Sequence, residues 1–177
     1  PSGTSITLTY KNGANAGKTV TLTRIEEYDS LFATYIYSGV DTLILPVESE
    51  VINGTVGYIK INSNYDDLGL IIRLFERSLQ KFEEYEVAGI IIDLRQNSGG
   101  APLGLAGFLY DEEIPMGQLE YYSDTTGKFE PDGPREKVIP NEEQYSFNTM
   151  VLLVGNACFS ACEIEAYGFS QVPGMTV

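Results

Sequence analysis

Histidine is absent from this 177-residue chain, and no other feature of the composition removes more chemistry. Without an imidazole, a Ser-His-Asp or Cys-His catalytic arrangement cannot be built from these residues, and neither can a His-ligated metal site. Basic residues are scarce: 11 Lys and Arg against 25 Asp and Glu leave a formal charge of −14. Such a surface repels phosphate backbones and anionic lipid, so nucleic acid is not an expected partner. Cysteine is limited to Cys158 and Cys162, on either side of Ser160. Two thiols make neither a disulfide framework nor a zinc ligand set. They read as small buried side chains, with a disulfide between them or a nucleophilic thiol as the alternatives. No segment reaches the roughly 18 consecutive apolar residues of a membrane span, and no basic-then-apolar leader opens the chain. Pro1 lies inside an already patterned segment, so the expectation is a piece of a longer protein whose targeting signal, if any, lies upstream.

What is present suits a globular α/β protein. Hydrophobic residues make up 43% of the chain, enough for one substantial core and a fragment of a second domain. Ile6, Leu8 and Tyr10 alternate with threonines, as do Val20 and Leu22, and Lys11 to Lys18 is rich in turn residues. Residues 4–24 therefore read as a β-hairpin, followed by an acidic linker from Glu26 to Asp29. Strands are expected at 31–37 and 40–47, with Gly39 between them, and at Val56 to Ile61. Ile71, Ile72, Phe75, Leu79 and Phe82 share one face at helical spacing, which predicts a helix over 66–86, capped by Asn64 or Asp66. Ala88 to Arg95 is a continuous apolar run of the kind found in parallel strands covered on both faces. Leu103, Leu105, Ala106 and Leu109 suggest a second helix, and 121–134 a surface ribbon. Met150 to Val154 reads as another buried strand, leading into a third helix that ends near Ser170. The order predicts crossover units in a sheet with parallel strands and flanking helices.

Two segments have the placement that chemistry needs, at the carboxyl ends of strands where loops meet helix starts. In Asp93-Leu-Arg-Gln-Asn-Ser-Gly-Gly100, paired glycines let the backbone approach a ligand and turn N–H groups outward. The spacing of glycines from Gly99 to Gly104 misses the dinucleotide fingerprint, so a structural turn competes with an anion or oxyanion site. In the second segment, Val154 to Glu163, a serine between strand and helix presents its hydroxyl at the sheet edge, beside the N–H of Ala161. An N-cap serine is the plain alternative, with Glu163 as its capping partner.

Together, Asp93-Leu-Arg-x-Asn-x-Gly-Gly100 and Cys158-Phe-Ser-Ala-Cys-Glu-Ile164 resemble the motifs of the carboxyl-terminal processing, or tail-specific, proteases: the S41 family of serine peptidases. Gly57-Tyr-Ile-Lys-Ile-Asn62 is similar to that family's strand before its long helix. The resemblance implies a ClpP/crotonase-like α/β fold over 28–177, preceded at 1–27 by the last hairpin of a PDZ-like domain. It implies Ser160 as nucleophile, an oxyanion hole from the N–H of Ala161 and one from Gly99 or Gly100, and a lysine as general base. That lysine is expected past Val177, so the 177 residues alone should not turn over. The position of an acidic residue found in some members is Gln171 here. Lys60 is the one candidate for a substitute base, and Asp93 and Arg95 are expected to brace their turn. A peptide or protein substrate, no cofactor, no metal and an exported location follow by the same analogy. A catalytically dead peptide-binding scaffold and a crotonase-like acyl-thioester enzyme are the competing readings of the same fold.

Overall fold

The computed structural model describes residues 3–11, 13, 16–24, 45–65 and 67–177. The expected linker at 26–29, the expected strand at 31–37, Gly39, most of the strand expected at 40–47, and Asp66 lie outside the described residues. The chain divides into two compact units, Pro1–Val40 and Asp41–Val177.

In the first unit β1 (Ser5–Tyr10) pairs antiparallel with β2 (Lys18–Thr23), the hairpin expected from the alternation. Its register puts Ile6 opposite Leu22 and Leu8 opposite Val20 on one face. On the other face, threonine hydroxyls hydrogen-bond across the strands, Thr7 to Thr21 at 3.1 Å and Thr9 to Thr19 at 3.0 Å. Cross-strand pairs of this kind are the unit of hairpin stabilisation.

The second unit is built on five strands in the order β11-β10-β5-β4-β3. They are β3 (Val47–Ile52), β4 (Val56–Ile61), β5 (Gly89–Asp93), β10 (Thr149–Leu153) and β11 (Met175–Thr176). All neighbours are parallel except β3, which is antiparallel to β4. The β3–β4 hairpin turns at Asn53-Gly54, both at positive φ (51° and 72°), and this Asn-Gly pair is what a tight two-residue hairpin turn demands. Crossovers join the parallel strands through α1 (Leu68–Glu84) and α2 (Ala161–Ser170). The fold class is the expected one: a mixed α/β sheet, mostly parallel, flanked by helices.

Asp67 caps α1 by accepting the Leu70 N–H at 2.9 Å. Asn64, one of the two caps expected from sequence, is instead buried in the site described below. The apolar face of α1 packs on the sheet, with Ile71, Phe75, Leu79 and Phe82 fully buried. Phe75 meets Phe108 at 6.0 Å and Phe169 at 5.9 Å between ring centroids, so one side chain joins α1 to the segments that flank the glycine pair and Ser160. The row Ile59, Ile61, Ile90, Ile92 and Leu152 is buried under this layer, whereas Tyr58, Ile91 and Val151 on the opposite face are only half-buried. The cover expected on both faces of β5 is therefore complete on one.

The second helix expected after Leu103 is a single 3-10 turn, Leu105–Phe108. It stops there because the carbonyls of Gly107 and Phe108, which a longer helix would need, accept N–H groups from Asn141 (2.8 Å) and Tyr145 (2.9 Å). The intervening chain forms two small sheets: β6 (Ile114–Gly117) with β9 (Glu136–Val138), and β7 (Glu120–Ser123) with β8 (Lys128–Pro131). The β7–β8 ribbon is the surface excursion expected at 121–134.

Candidate active site

β4, β5 and β10 are parallel, so their carboxyl ends share one edge of the sheet, and the loops that leave them converge there. The loop after β4 supplies Asn64, the loop after β5 supplies Asn97 to Gly100, and the loop after β10 supplies Ser160.

The glycine turn is held by two asparagines, 1% and 0% exposed. Asn64 gives its N–H to the Gly99 carbonyl (2.9 Å), takes the Ala101 N–H (3.0 Å), and gives its side-chain N–H to the Ala101 carbonyl (2.9 Å). Its Oδ1 accepts from Asn97 Nδ2 at 2.7 Å, while Asn97 Oδ1 accepts the Gly99 N–H at 2.8 Å. Every polar atom of the two buried amides that this network uses has its partner, the condition under which burying them is affordable in free energy.

Both glycines are required. Gly99 and Gly100 have φ of 94° and 132°, where side chains are strained. A Cβ on Gly99 would stand 2.7 Å from the Phe159 carbonyl oxygen and 3.0 Å from Ser160 Cβ, and one on Gly100 2.2 Å from the Asn64 carbonyl. The structure thus brings Gly99 directly against the Phe159–Ala161 backbone. It also separates the two glycines as donors. The Gly99 N–H is committed to Asn97. Asn64 pairs with the Gly99 carbonyl and the Ala101 N–H, and in an extended segment the peptide groups between such bonds face the other way, so the Gly100 N–H points away from Asn64.

Ser160 is the N-cap residue of α2, exposed, with φ 59° and ψ −125°. That conformation costs a non-glycine residue about 1–3 kcal/mol, and it turns the chain sharply from the loop into the helix. Glu163 accepts the Ser160 N–H at 2.9 Å, so the capping role expected for Glu163 is the one it has. Ala161, 2% exposed, follows as the first helical residue, with its N–H at the positive end of the helix. Ser160 lines a cavity of about 510 Å³ with Met116, Glu163, Ile164 and Tyr167.

The cysteines correct the sequence reading. Cys158 and Cys162 are not separate small side chains but a disulfide, with Cα atoms 5.4 Å apart. The sharp turn at Ser160 folds the preceding loop back over the first turn of α2, and that brings the two sulfurs together across the nucleophile position.

Asp93 is 2% exposed and accepts Tyr58 Oη at 2.6 Å, Arg95 Nη2 at 2.7 Å and the Arg95 backbone N–H at 2.9 Å. Burial alone would raise its carboxyl, but the hydrogen bonds from Arg95 and Tyr58 outweigh it and hold Asp93 below its usual value. Burial and the neighbouring carboxylate push the Tyr58 phenol up to about 12. The pair braces the start of the loop after β5. Lys60 lies in a small cavity with Tyr58, Asp93, Arg95 and Gln96, away from the cavity that Ser160 lines.

A depressed folded-state value means that Asp93 stabilises the fold above its unfolded value and loses that contribution as pH falls through the folded one. Asp93→Asn is expected to cost about 2 kcal/mol near neutrality, chiefly from the buried hydrogen bonds, since solvent screens the exposed Arg95. In urea denaturation at several pH values the gap between variant and parent should narrow as pH falls below about 4. A gap that stays constant with pH would show that the Asp93 charge contributes nothing.

Two further residues of the site went unassigned in the sequence. Asn97 sits inside the quoted motif, but its bond to Asn64 joins two loops and carries no local signal. Glu165 had one: Ala161, Cys162, Glu165, Gly168 and Phe169 are the buried positions of α2, a helical stripe with one carboxylate on it. Glu165, 3% exposed, accepts the backbone N–H groups of Leu103, Gly104 (2.9 Å) and Leu105 (3.2 Å). Burial raises its carboxyl, and these three bonds offset part of the rise.

The geometry has counterparts. A protein of Parabacteroides merdae described as a candidate peptidase superposes with a TM-score of 0.57 at 20% identity, over 81% of this chain and 46% of its own. The photosystem II D1 C-terminal processing protease matches with 0.53 at 19%, over 98% and 43%. Mature CPAF matches with 0.53 at 14%, over 99% and 52%. This chain thus spans about half the length of the structures it resembles, and at these identities the likeness is one of fold. The model of peptidase family S41 matches residues 55–175, well over half of the chain and all of the loops just described, and the chain belongs to that family.

Proposed function

We propose that this chain carries the nucleophile and oxyanion hole of a serine endopeptidase that cleaves proteins near their C-termini. The observation that supports it best is the contact of Gly99 with the backbone of Ser160, which sets an exposed hydroxyl beside N–H groups from two loops.

In this reading the lysine of a serine–lysine dyad, which we place outside the 177 residues, takes the proton of Ser160 Oγ as the oxygen bonds to the scissile carbonyl carbon. The oxyanion accepts hydrogen bonds from Ala161 and Gly100, each worth roughly 3 kcal/mol in the transition state. Gly99 is not the second donor, because its N–H is engaged by Asn97. The intermediate collapses with loss of the amine, which takes its proton from the lysine ammonium, and water then cleaves the acyl-enzyme. Beside the Ser160 cavity, and sharing Met116 and Ile164 with it, lies a cavity of about 610 Å³ lined also by Leu103, Leu119, Val138 and Ile139. It would take an apolar side chain of the substrate.

The hairpin at 4–24 fits the proposed end of a PDZ-like domain at 1–27. The Cys158–Cys162 disulfide fits an exported protein, since disulfides persist in oxidising compartments. The direct test is to treat the full-length protein with a fluorophosphonate and map the adduct by mass spectrometry. Modification at Ser160 is the expected result. No adduct, or one on another residue, would leave the inactive scaffold as the better reading.

A further inference from the structure

Burying a carboxylate is costly unless its oxygens are hydrogen-bonded, and Glu165 is the most deeply buried carboxylate that the mechanism above leaves unused. Its three partners are successive backbone N–H groups, of Leu103, Gly104 and Leu105, on the segment that continues from the glycine pair. Glu165 lies one helical turn after Ala161 on the same buried stripe of α2. One donor of the proposed oxyanion hole is therefore carried by α2, and the other by the loop that α2 grips through this side chain. The loop has two anchors: Asn64 at Ala101, and Glu165 at 103–105. Only Pro102 lies between them, so little slack separates the second anchor from Gly100. An apolar side chain at 165 could fill the same space but could not hold three N–H groups.

We infer that Glu165 is a positioning residue: it fixes the Gly100 N–H at its distance from Ser160 and Ala161 by tying the glycine loop to the helix that carries the nucleophile. The inference rests on the serine peptidase reading of the site.

The experiment uses the full-length protein and its E165A and E165Q variants. The readouts are fluorophosphonate acylation per folded molecule and hydrogen exchange at amides 103–105. Loss of the tie is expected to lower the limiting acylation rate of E165A about 10- to 100-fold with little change in probe affinity, because misplacing a catalytic group by about 1 Å costs that much. Exchange at 103–105 should accelerate while β5 and β10 stay protected. E165Q keeps one acceptor oxygen but turns an NH₂ toward a donor, so it should recover part of the rate, and it preserves the test should E165A fail to fold. A folded variant that acylates within about twofold of the parent, with 103–105 exposed to exchange, would reduce Glu165 to a stabiliser of the loop. Unchanged exchange would overturn the tie itself. A parent that is not labelled at Ser160 would fail the serine reading, and this inference with it, whatever the exchange shows.

Discussion

Peptide hydrolysis by the full-length protein is expected to fall about 10⁴-fold or more when Ser160 is replaced by alanine, with stability changed by less than about 1 kcal/mol. The two halves of that expectation have separate physical origins. Activity falls because the only atom removed is the attacking oxygen. Stability holds because the features that shape the turn survive: Glu163 bonds the backbone N–H of residue 160, not its side chain, and the disulfide across the turn is untouched. Alanine also keeps a Cβ at φ 59°, so the backbone strain is the same. Ser160→Gly separates strain from chemistry. It should be equally inactive yet more stable than the alanine variant by about 1 kcal/mol, because glycine accepts that conformation freely. Activity assays with denaturant melts on the two variants check both statements. Residual hydrolysis above about 1% in Ser160→Ala would show that another group attacks the substrate.

What could be read from the residues follows the range of the interactions involved. α1 was legible because Ile71, Phe75, Leu79 and Phe82 repeat at the helical period, and β4, β5 and β10 because apolar runs end in glycine turns. The β3–β4 hairpin was missed at 40–47 although Asn53-Gly54 marks its turn; Val47-Glu-Ser-Glu-Val-Ile52 is an edge strand whose two glutamates hide the alternation. A 3-10 turn in place of a second helix depends on N–H groups from residues 141 and 145, far along the chain. The disulfide depends on a positive φ at a serine, which composition does not announce. The two loops singled out as chemical do meet at one sheet edge. Telling Gly99 from Gly100 as a donor, however, needs the direction of single peptide groups, and that is set by Asn64 and Asn97 from different loops.

Gly100→Ala tests that arrangement most severely. The added Cβ would lie 2.2 Å from both the carbonyl carbon and oxygen of Asn64 and 2.7 Å from the Tyr65 N, so it meets backbone, which cannot rotate away as a side chain can. Relief requires moving the 64–65 peptide or the 99–101 segment, and either breaks the bonds that join Asn64 to Gly99 and Ala101. With φ at 132° as well, the expected loss is about 3 kcal/mol or more, read as a drop in denaturation midpoint. Molecules that remain folded should acylate about 10²-fold more slowly, because the displaced N–H is one oxyanion donor. Gly133→Ala is the control: it also has positive φ (73°), but nothing lies within 4 Å of its added Cβ. It should cost only about 1 kcal/mol and leave acylation unchanged. If the two alanines behave alike, backbone conformation alone accounts for the loss and the close approach to Asn64 does not hold the turn; if Gly100→Ala loses stability but acylates normally, the second oxyanion donor is not Gly100.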